Sequence, residues 1–126
     1  MAVVTQSSLR SLLLTNVAEI RFQRRVNVPG STTFRRMWCT NSSALLNSYN
    51  GKAILNYRSP SKGYAYDITS KNLIVTWDIL MQDYRNISMD NCELLRSVPA
   101  NEEFWKFFNE NILIMSTQQK INFMNS

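Results

Sequence analysis

Apolar and polar residues alternate along two consecutive segments near the middle of the chain, residues 73–79 and 84–89. Both segments are rich in β-branched and aromatic residues, and a period of two is typical of β-strands. We therefore predict an antiparallel hairpin whose turn occupies residues 80–83. In its first strand one face carries Leu73, Val75, Trp77 and Ile79, and the other carries Ile74, Thr76 and Asp78. We expect a small barrel to close around the apolar row.

Alternation also predicts strands on both sides of this hairpin. Residues 17–26 and 32–40 would form a second hairpin, because Pro29 and Gly30 between them favour a turn. Residues 90–98 would form the last strand, and residues 52–57 a brief one. In the first of these strands Ala18, Ile20 and Phe22 are predicted to share one face. In the second, Met37 and Cys39 would share a face. In the last strand Cys92, Leu94 and Val98 would point inward.

Helical spacing occurs at three places. Leu9, Leu12 and Leu13 would share one face of a short N-terminal helix. Ser42 or Ser43 would cap a helical turn that buries Leu45 and Leu46 and stops at Gly51. A C-terminal helix is also predicted, with Asn101 as its cap. Its apolar stripe would consist of Phe104, Phe107, Phe108 and Ile112. Residues 116–126 are left without an assignment.

Length and composition favour one mainly β (α+β) domain over residues 1–126. The antiparallel barrel would span residues 17–98, with helical extensions at both ends. Because histidine is absent, a zinc site lacks its usual ligands, and no cofactor is predicted. Cys39 and Cys92 are expected to be buried, reduced thiols, with a disulfide as the alternative. No membrane-spanning run or signal peptide is apparent, so we expect a cytoplasmic protein.

Positive charge is concentrated in the first part of the chain. Residues 1–71 carry ten Lys or Arg against two acids, whereas residues 72–126 carry four against seven. Five arginines lie on the hairpin of residues 17–40, and the long loop after residue 57 adds further basic and tyrosine side chains. The predicted partner-binding residues are Arg21, Arg24, Arg25, Arg35, Arg36, Arg58, Lys62, Tyr64, Tyr66 and Lys71.

Residues that could support catalysis are sparse. No phosphate-binding loop or nucleophile-elbow motif occurs, and the absent histidine is the usual proton carrier near neutral pH. Glu102 and Glu103 diverge around a helix start. Asp78 and Asp83 flank the central turn and could form a carboxylate pair, although Asp is also an ordinary turn residue. We therefore predict a protein without enzymatic activity.

Two kinds of partner fit the predicted basic surface. A row of arginines can neutralise phosphates while Trp38 or nearby tyrosines stack on bases, as in proteins that bind RNA or single-stranded DNA without sequence preference. Arginine and tyrosine also dominate the energetics of protein interfaces, so the same surface suits an acidic site on another protein. Both hypotheses place the arginines on one outward patch, where reversing four charges would abolish binding without lowering the melting temperature.

Two motifs within these strands resemble a known family. They are Met37-Trp38-Cys39-Thr40 in one strand and Trp77-Asp78, followed by Arg85, in the central hairpin. Over residues 17–98 the pattern is similar to the small Src-homology-3-like β-barrel proteins encoded by tailed bacteriophages. The resemblance implies a phage accessory protein of the bacterial cytoplasm that inhibits or modulates a host protein of defence or gene expression. Binding to nucleic acid is the alternative.

Overall fold

The computed structural model describes residues 2–24, 33–59 and 71–126, and within them strands and short helices are interleaved along the chain. The strands are β1 (Ala2–Val3), β2 (Asn16–Gln23), β3 (Phe34–Thr40), β4 (Leu73–Asp78), β5 (Asp83–Ser88) and β6 (Glu93–Pro99). The helices are α1 (Gln6–Leu13), α2 (Ser43–Leu46), α3 (Tyr49–Ala53), α4 (Glu102–Phe107) with a π-helical turn after it (Phe108–Ile112), and α5 (Thr117–Met124). The turn predicted at Pro29 and Gly30 lies outside the described residues.

The strands form one antiparallel sheet in the order β1-β6-β2-β3-β4-β5. Both predicted hairpins are confirmed, since β2 pairs with β3 and β4 pairs with β5. The edge strands β1 and β5 are not paired with each other in the described ranges, so the sheet is not closed into a barrel. The α+β architecture is confirmed, and the closed barrel is wrong.

Helices cover both faces of the sheet, and this is why it can bury its apolar rows without closing. On one face α1 packs on Ile20, Met37 and Ile74, in what we call the α1-side core. On the other face α2 and α4 pack on Trp38 and Trp77, in what we call the α4-side core. Both rows of β4 are therefore buried, whereas the sequence placed only the row containing Trp77 inside a barrel.

A β-bulge in β6 lets that strand supply apolar side chains to both cores. Glu19 of β2 pairs with Arg96, but the next residue of β2 pairs with Leu94, so Leu95 is the extra residue. Because of this extra residue, the side chains of β6 before and after the bulge alternate between the two faces of the sheet in opposite phase. Leu94 consequently packs against the α1-side core and Val98 against the α4-side core, although an even spacing predicts a shared face.

The segment between β3 and β4 begins as predicted and then differs. Ser42 caps α2 by accepting a hydrogen bond from the Leu45 N–H, which confirms the helical turn. Gly51 does not stop this helix. It lies inside α3, where a Cβ atom would lie 2.5 Å from the Leu46 carbonyl oxygen, so the close approach of α3 to α2 requires glycine. The strand predicted over residues 52–57 is wrong, because α3 and an irregular segment occupy them.

The aromatic C-terminal helix is confirmed as α4 and its π-helical continuation. Asn101 caps α4 by accepting a hydrogen bond from the Glu103 N–H. In the π-helical turn the Leu113 N–H donates to the Phe108 carbonyl, five residues back, at 2.8 Å. Phe108 and Ile112 remain buried in the α4-side core. Helix α5 then occupies the region that the sequence left unassigned and lies against β3.

Candidate partner-binding site

The described arginines of β2 and β3 do not form the single outward patch that the sequence predicted. Arg21 pairs with Arg36 across the two strands, so both side chains leave from the face of the α4-side core. Arg35 pairs with Phe22, which belongs to the α1-side core, and leaves from the other face. The prediction of one patch is wrong because residues adjacent along a strand point in opposite directions.

Acidic side chains neutralise the arginines on the α4-side face. Glu19 is 6% exposed, and its carboxylate lies 3.0 Å from Arg96 Nε and 3.5 Å from Arg36 Nε. Arg21 lies 3.8 Å from the Glu93 carboxylate. These ion pairs connect β2, β3 and β6 and leave little uncompensated charge on this face.

A different group of arginines, which includes Arg35, surrounds an open cleft of about 220 Å³. The residues that line it are Arg24, Arg35, Met81, Arg85, Met124 and Asn125. Arg24 directly follows β2, Arg35 lies in β3 and Arg85 in β5. The β2–β3 hairpin and β5, which are far apart in sequence, therefore bring guanidinium groups together at what we call the arginine cleft.

Asp78 anchors the arginine cleft from the protein interior. Its Oδ1 accepts hydrogen bonds from the backbone N–H groups of Leu80 at 3.0 Å and Met81 at 3.1 Å, which fixes the turn after β4. Its Oδ2 is in direct contact with the Arg35 guanidinium and lies 3.9 Å from Arg85 Nε. The unchanged melting temperature expected from the sequence assumed exposed charges, but Arg35 is largely buried. We now expect charge reversal at Arg35 to lower the melting temperature, because it would place two carboxylates together.

Burial governs the pKa values of this ion pair. It raises the pKa of the Asp78 carboxyl, while Arg35 and the backbone donors act in the opposite direction. It also lowers the pKa of Arg35; the Asp78 carboxylate opposes this shift, and the charges of Arg85 and Arg24 add to it. Arginine nevertheless stays protonated at neutral pH. The three guanidinium groups therefore repel one another, and an anion entering the cleft would relieve that repulsion.

Asp83 extends the network of charges along the hairpin turn. It pairs with Asp78 in the β4–β5 ladder, and its carboxylate lies 2.9 Å from Arg58 and 3.7 Å from Arg85. Each acid of the carboxylate pair considered from the sequence is thus bound to arginine. Among the described residues, three arginines (Arg35, Arg58 and Arg85) share the two carboxylates of Asp78 and Asp83 in this region.

The remaining predicted site residues are not gathered at the arginine cleft. Arg58 lies beside it, with its guanidinium 5.4 Å from the ring centroid of Trp77. Lys71 is exposed directly before β4 and is not one of the residues that line the cleft. The four others lie outside the described residues: Arg25, Lys62, Tyr64 and Tyr66.

The sequence pattern did not single out Arg85 as a member of this group, and it treated Asp78 mainly as a turn residue. In the ladder Arg85 pairs with Thr76, so it leaves from the same face of the hairpin as Asp78. Opposite charges gathered on one face of the hairpin, with Asp78 and Asp83 beside Arg85, are the signal that could have found them. That signal follows from the predicted hairpin register alone.

Aromatic rings that could stack on nucleic-acid bases are largely inaccessible in the described part of the chain. Trp38 is 2% exposed and Trp77 is fully buried. The hydroxyl groups of Tyr57 and Tyr84 are hydrogen-bonded to each other at 2.9 Å, and both rings pack edge-on against Trp77. Tyr49 is exposed, but it lies on α3 and does not line the arginine cleft.

Both cysteines are buried as free thiols in the α1-side core, as predicted. Burial raises the pKa of Cys92 to about 12 and also strongly raises that of Cys39. Thiols with such pKa values are poor nucleophiles near neutral pH. Across the described ranges, no three His, Cys, Asp or Glu side chains are gathered as a metal ion would require.

Comparisons of the chain with protein-family models, with curated proteins and with solved structures find no match. The resemblance to phage-encoded barrel proteins therefore stays a prediction. Within the described residues, none of the helices combines the length and the apolar character needed to cross a bilayer.

Proposed function

We propose that this chain is a non-enzymatic binding protein whose arginine cleft holds an acidic segment of another protein. The observation that supports the proposal best is the convergence of Arg24, Arg35 and Arg85 on one cleft. Two of them, Arg35 and Arg85, contact the buried carboxylate of Asp78. A carboxylate from a partner would receive charge-assisted, bidentate hydrogen bonds from guanidinium groups that otherwise repel one another. The cleft thus gathers the hydrogen-bond donors of three guanidinium groups.

A protein partner is favoured over nucleic acid for three reasons. The arginines converge on one concave place rather than following a track along which successive phosphates could lie. Met81 and Met124 flank them, and flexible thioether side chains suit the irregular apolar neighbours of an acidic side chain. Trp38 and Trp77, by contrast, are buried and do not offer a stacking platform.

The resemblance to phage-encoded proteins supplies the biological setting of this proposal. It supports a phage accessory protein that acts in the bacterial cytoplasm, where it would inhibit or modulate a host protein of defence or gene expression. The two antiparallel hairpins that carry the similar motifs support a Src-homology-3-like relationship, with the sheet left open.

The proposal can be tested with a labelled decaglutamate peptide as a model acidic segment. Fluorescence anisotropy would compare the unmodified chain with Arg85→Gln and with Lys106→Gln, which removes an equal charge from an exposed position on α4. We expect Arg85→Gln to weaken binding about tenfold, because a charge-assisted hydrogen bond contributes about 1.5 kcal/mol. Lys106→Gln should have little effect.

Equal losses in the two variants would mean a general electrostatic attraction and would contradict the proposed cleft. An oligothymidine of ten nucleotides serves as the second probe. If it binds with Arg85 dependence while decaglutamate does not, the nucleic-acid alternative is correct.

Capture from nuclease-treated bacterial lysate would extend the test to natural partners. A protein retained by the unmodified chain and by Lys106→Gln, but lost with Arg85→Gln, would be the expected partner. Retention by all three baits would place its binding site outside the arginine cleft.

A further inference from the structure

Two residues at the end of α5 occupy part of the arginine cleft. Arg24 donates a hydrogen bond to the Asn125 Oδ1 at 2.9 Å, and the Arg35 guanidinium contacts the Met124 sulfur at 3.7 Å. Both Met124 and Asn125 line the cleft. The groups that would recognise a partner therefore already interact with a segment of the same chain.

The two residues on either side of this pair contact arginines on the α4-side face. Arg21 Nε donates to the Ser126 carbonyl oxygen at 3.3 Å, and the Arg36 guanidinium lies 5.4 Å from the ring centroid of Phe123. The end of α5 thus meets four arginines of the β2–β3 region, one residue to each. The carbonyl end of a helix carries partial negative charge, which favours this arrangement.

Helix α5 lies at the surface, where Phe123 and Met124 are partly buried against the α4-side core. None of its residues is fully buried. Ser116 and Gln119 form a capping box at its start, and Gln118 donates to the Asn122 side chain along its exposed side. A second cleft of about 250 Å³, in addition to the arginine cleft, borders α5. Phe123, Trp38 and Phe107 are among the residues that line it. Elements with few buried contacts open at low free-energy cost, so α5 can leave without unfolding the sheet.

We propose that α5 is an autoinhibitory element: its end blocks the arginine cleft in the unbound chain, and a partner must displace it. This inference rests on the proposed function. An incoming carboxylate would compete with the Asn125 side chain for Arg24 and with the Met124 side chain for Arg35. The apparent affinity for a partner is then reduced by the fraction of molecules in which α5 is docked.

The test uses the full chain with the contacting side chains removed. The variant Phe123→Ala/Met124→Ala/Asn125→Ala should bind labelled decaglutamate at least about fivefold more tightly than the unmodified chain, the lower end of typical coupling between sites. The matched control is Thr117→Ala/Ile121→Ala, which changes exposed residues of the same helix that do not line the cleft and leaves the capping box and the Gln118–Asn122 bond intact. Its affinity should equal that of the unmodified chain.

The outcomes separate this inference from the proposed function. Suppose that the unmodified chain binds the peptide in an Arg85-dependent way and the triple variant binds it equally or more weakly. This result contradicts the blocking role of α5 and agrees with the proposed function. Binding that is independent of Arg85 in both proteins overturns the proposed function and the blocking role with it.

Hydrogen exchange on the unmodified chain gives a second measurement that does not depend on a variant. Saturating decaglutamate should accelerate amide exchange in residues 117–125 while exchange in β2 stays unchanged. Exchange in α5 that is unaffected or slower in the presence of the peptide contradicts displacement.

Discussion

Asp78 accepts hydrogen bonds from two backbone groups and contacts two arginines while it is 1% exposed. Replacing it by Asn keeps an acceptor for the turn but leaves Arg35 in a largely buried position without its counter-charge. We expect Asp78→Asn to lower the free energy of unfolding by about 3 kcal/mol, the usual cost of breaking a buried pair. Urea denaturation measures this loss.

The matched control is Asp83→Asn, because Asp83 pairs with arginines at a position that is about half exposed. Exposed pairs contribute at most about 1 kcal/mol. Equal losses at the two positions would mean that the contact with Arg35 adds nothing to stability.

The two thiols provide a second test at the scale of single residues. Burial raises the pKa of Cys92 from about 9 to about 12, so at pH 9 to 10 its thiolate is scarce in the folded chain but abundant in the unfolded one. In that range the unfolded chain binds fewer protons, and stability falls as pH rises toward 12. Iodoacetamide at pH 9 should leave both cysteines unmodified until urea is added. Rapid alkylation of the folded chain would contradict their burial.

Among the elements, the packing of α3 onto α2 depends on the missing side chain at Gly51. A Cβ atom there would clash with the backbone carbonyl groups of Leu45 and Leu46, and backbone can move less easily than a flexible side chain. We expect Gly51→Ala to cost about 1 to 3 kcal/mol, as overpacking does, despite the higher helix propensity of alanine. Thermal unfolding gives the measurement. Asn50→Ala, at an exposed position of the same helix, is the control and should change stability little.

Elements with a long, regular pattern could be predicted from the sequence, and short or tertiary ones could not. The alternation in β2 and β4 and the helical spacing of Phe104 and Phe108 reflect burial on a defined face, which the sequence records directly. Residues 52–57 are too short for periodicity to separate helix from strand. Alternation also does not reveal that helices cover the second face of the sheet, so the predicted barrel was wrong.

At the scale of the whole molecule, the charge asymmetry of the sequence predicted basic residues but not where they meet. Arg24 and Arg35 come from the basic part of the chain, whereas Arg85 comes from the acidic part. Their convergence depends on the pairing of β3 with β4, which is set by contacts distant in sequence. Meanwhile Arg21 and Arg36 are neutralised by Glu93 and Glu19, which no count of net charge can show.

The most direct measurement is the response of individual arginine side chains to a bound acidic peptide. Nuclear magnetic resonance spectra of the Nε–Hε groups would be recorded on the full chain during titration with decaglutamate. We predict that the signals of Arg24, Arg35 and Arg85 shift together, while that of Arg10 on α1 stays in place. A shift confined to Arg10, or shifts spread evenly over all arginines, would contradict the arginine cleft as the binding site.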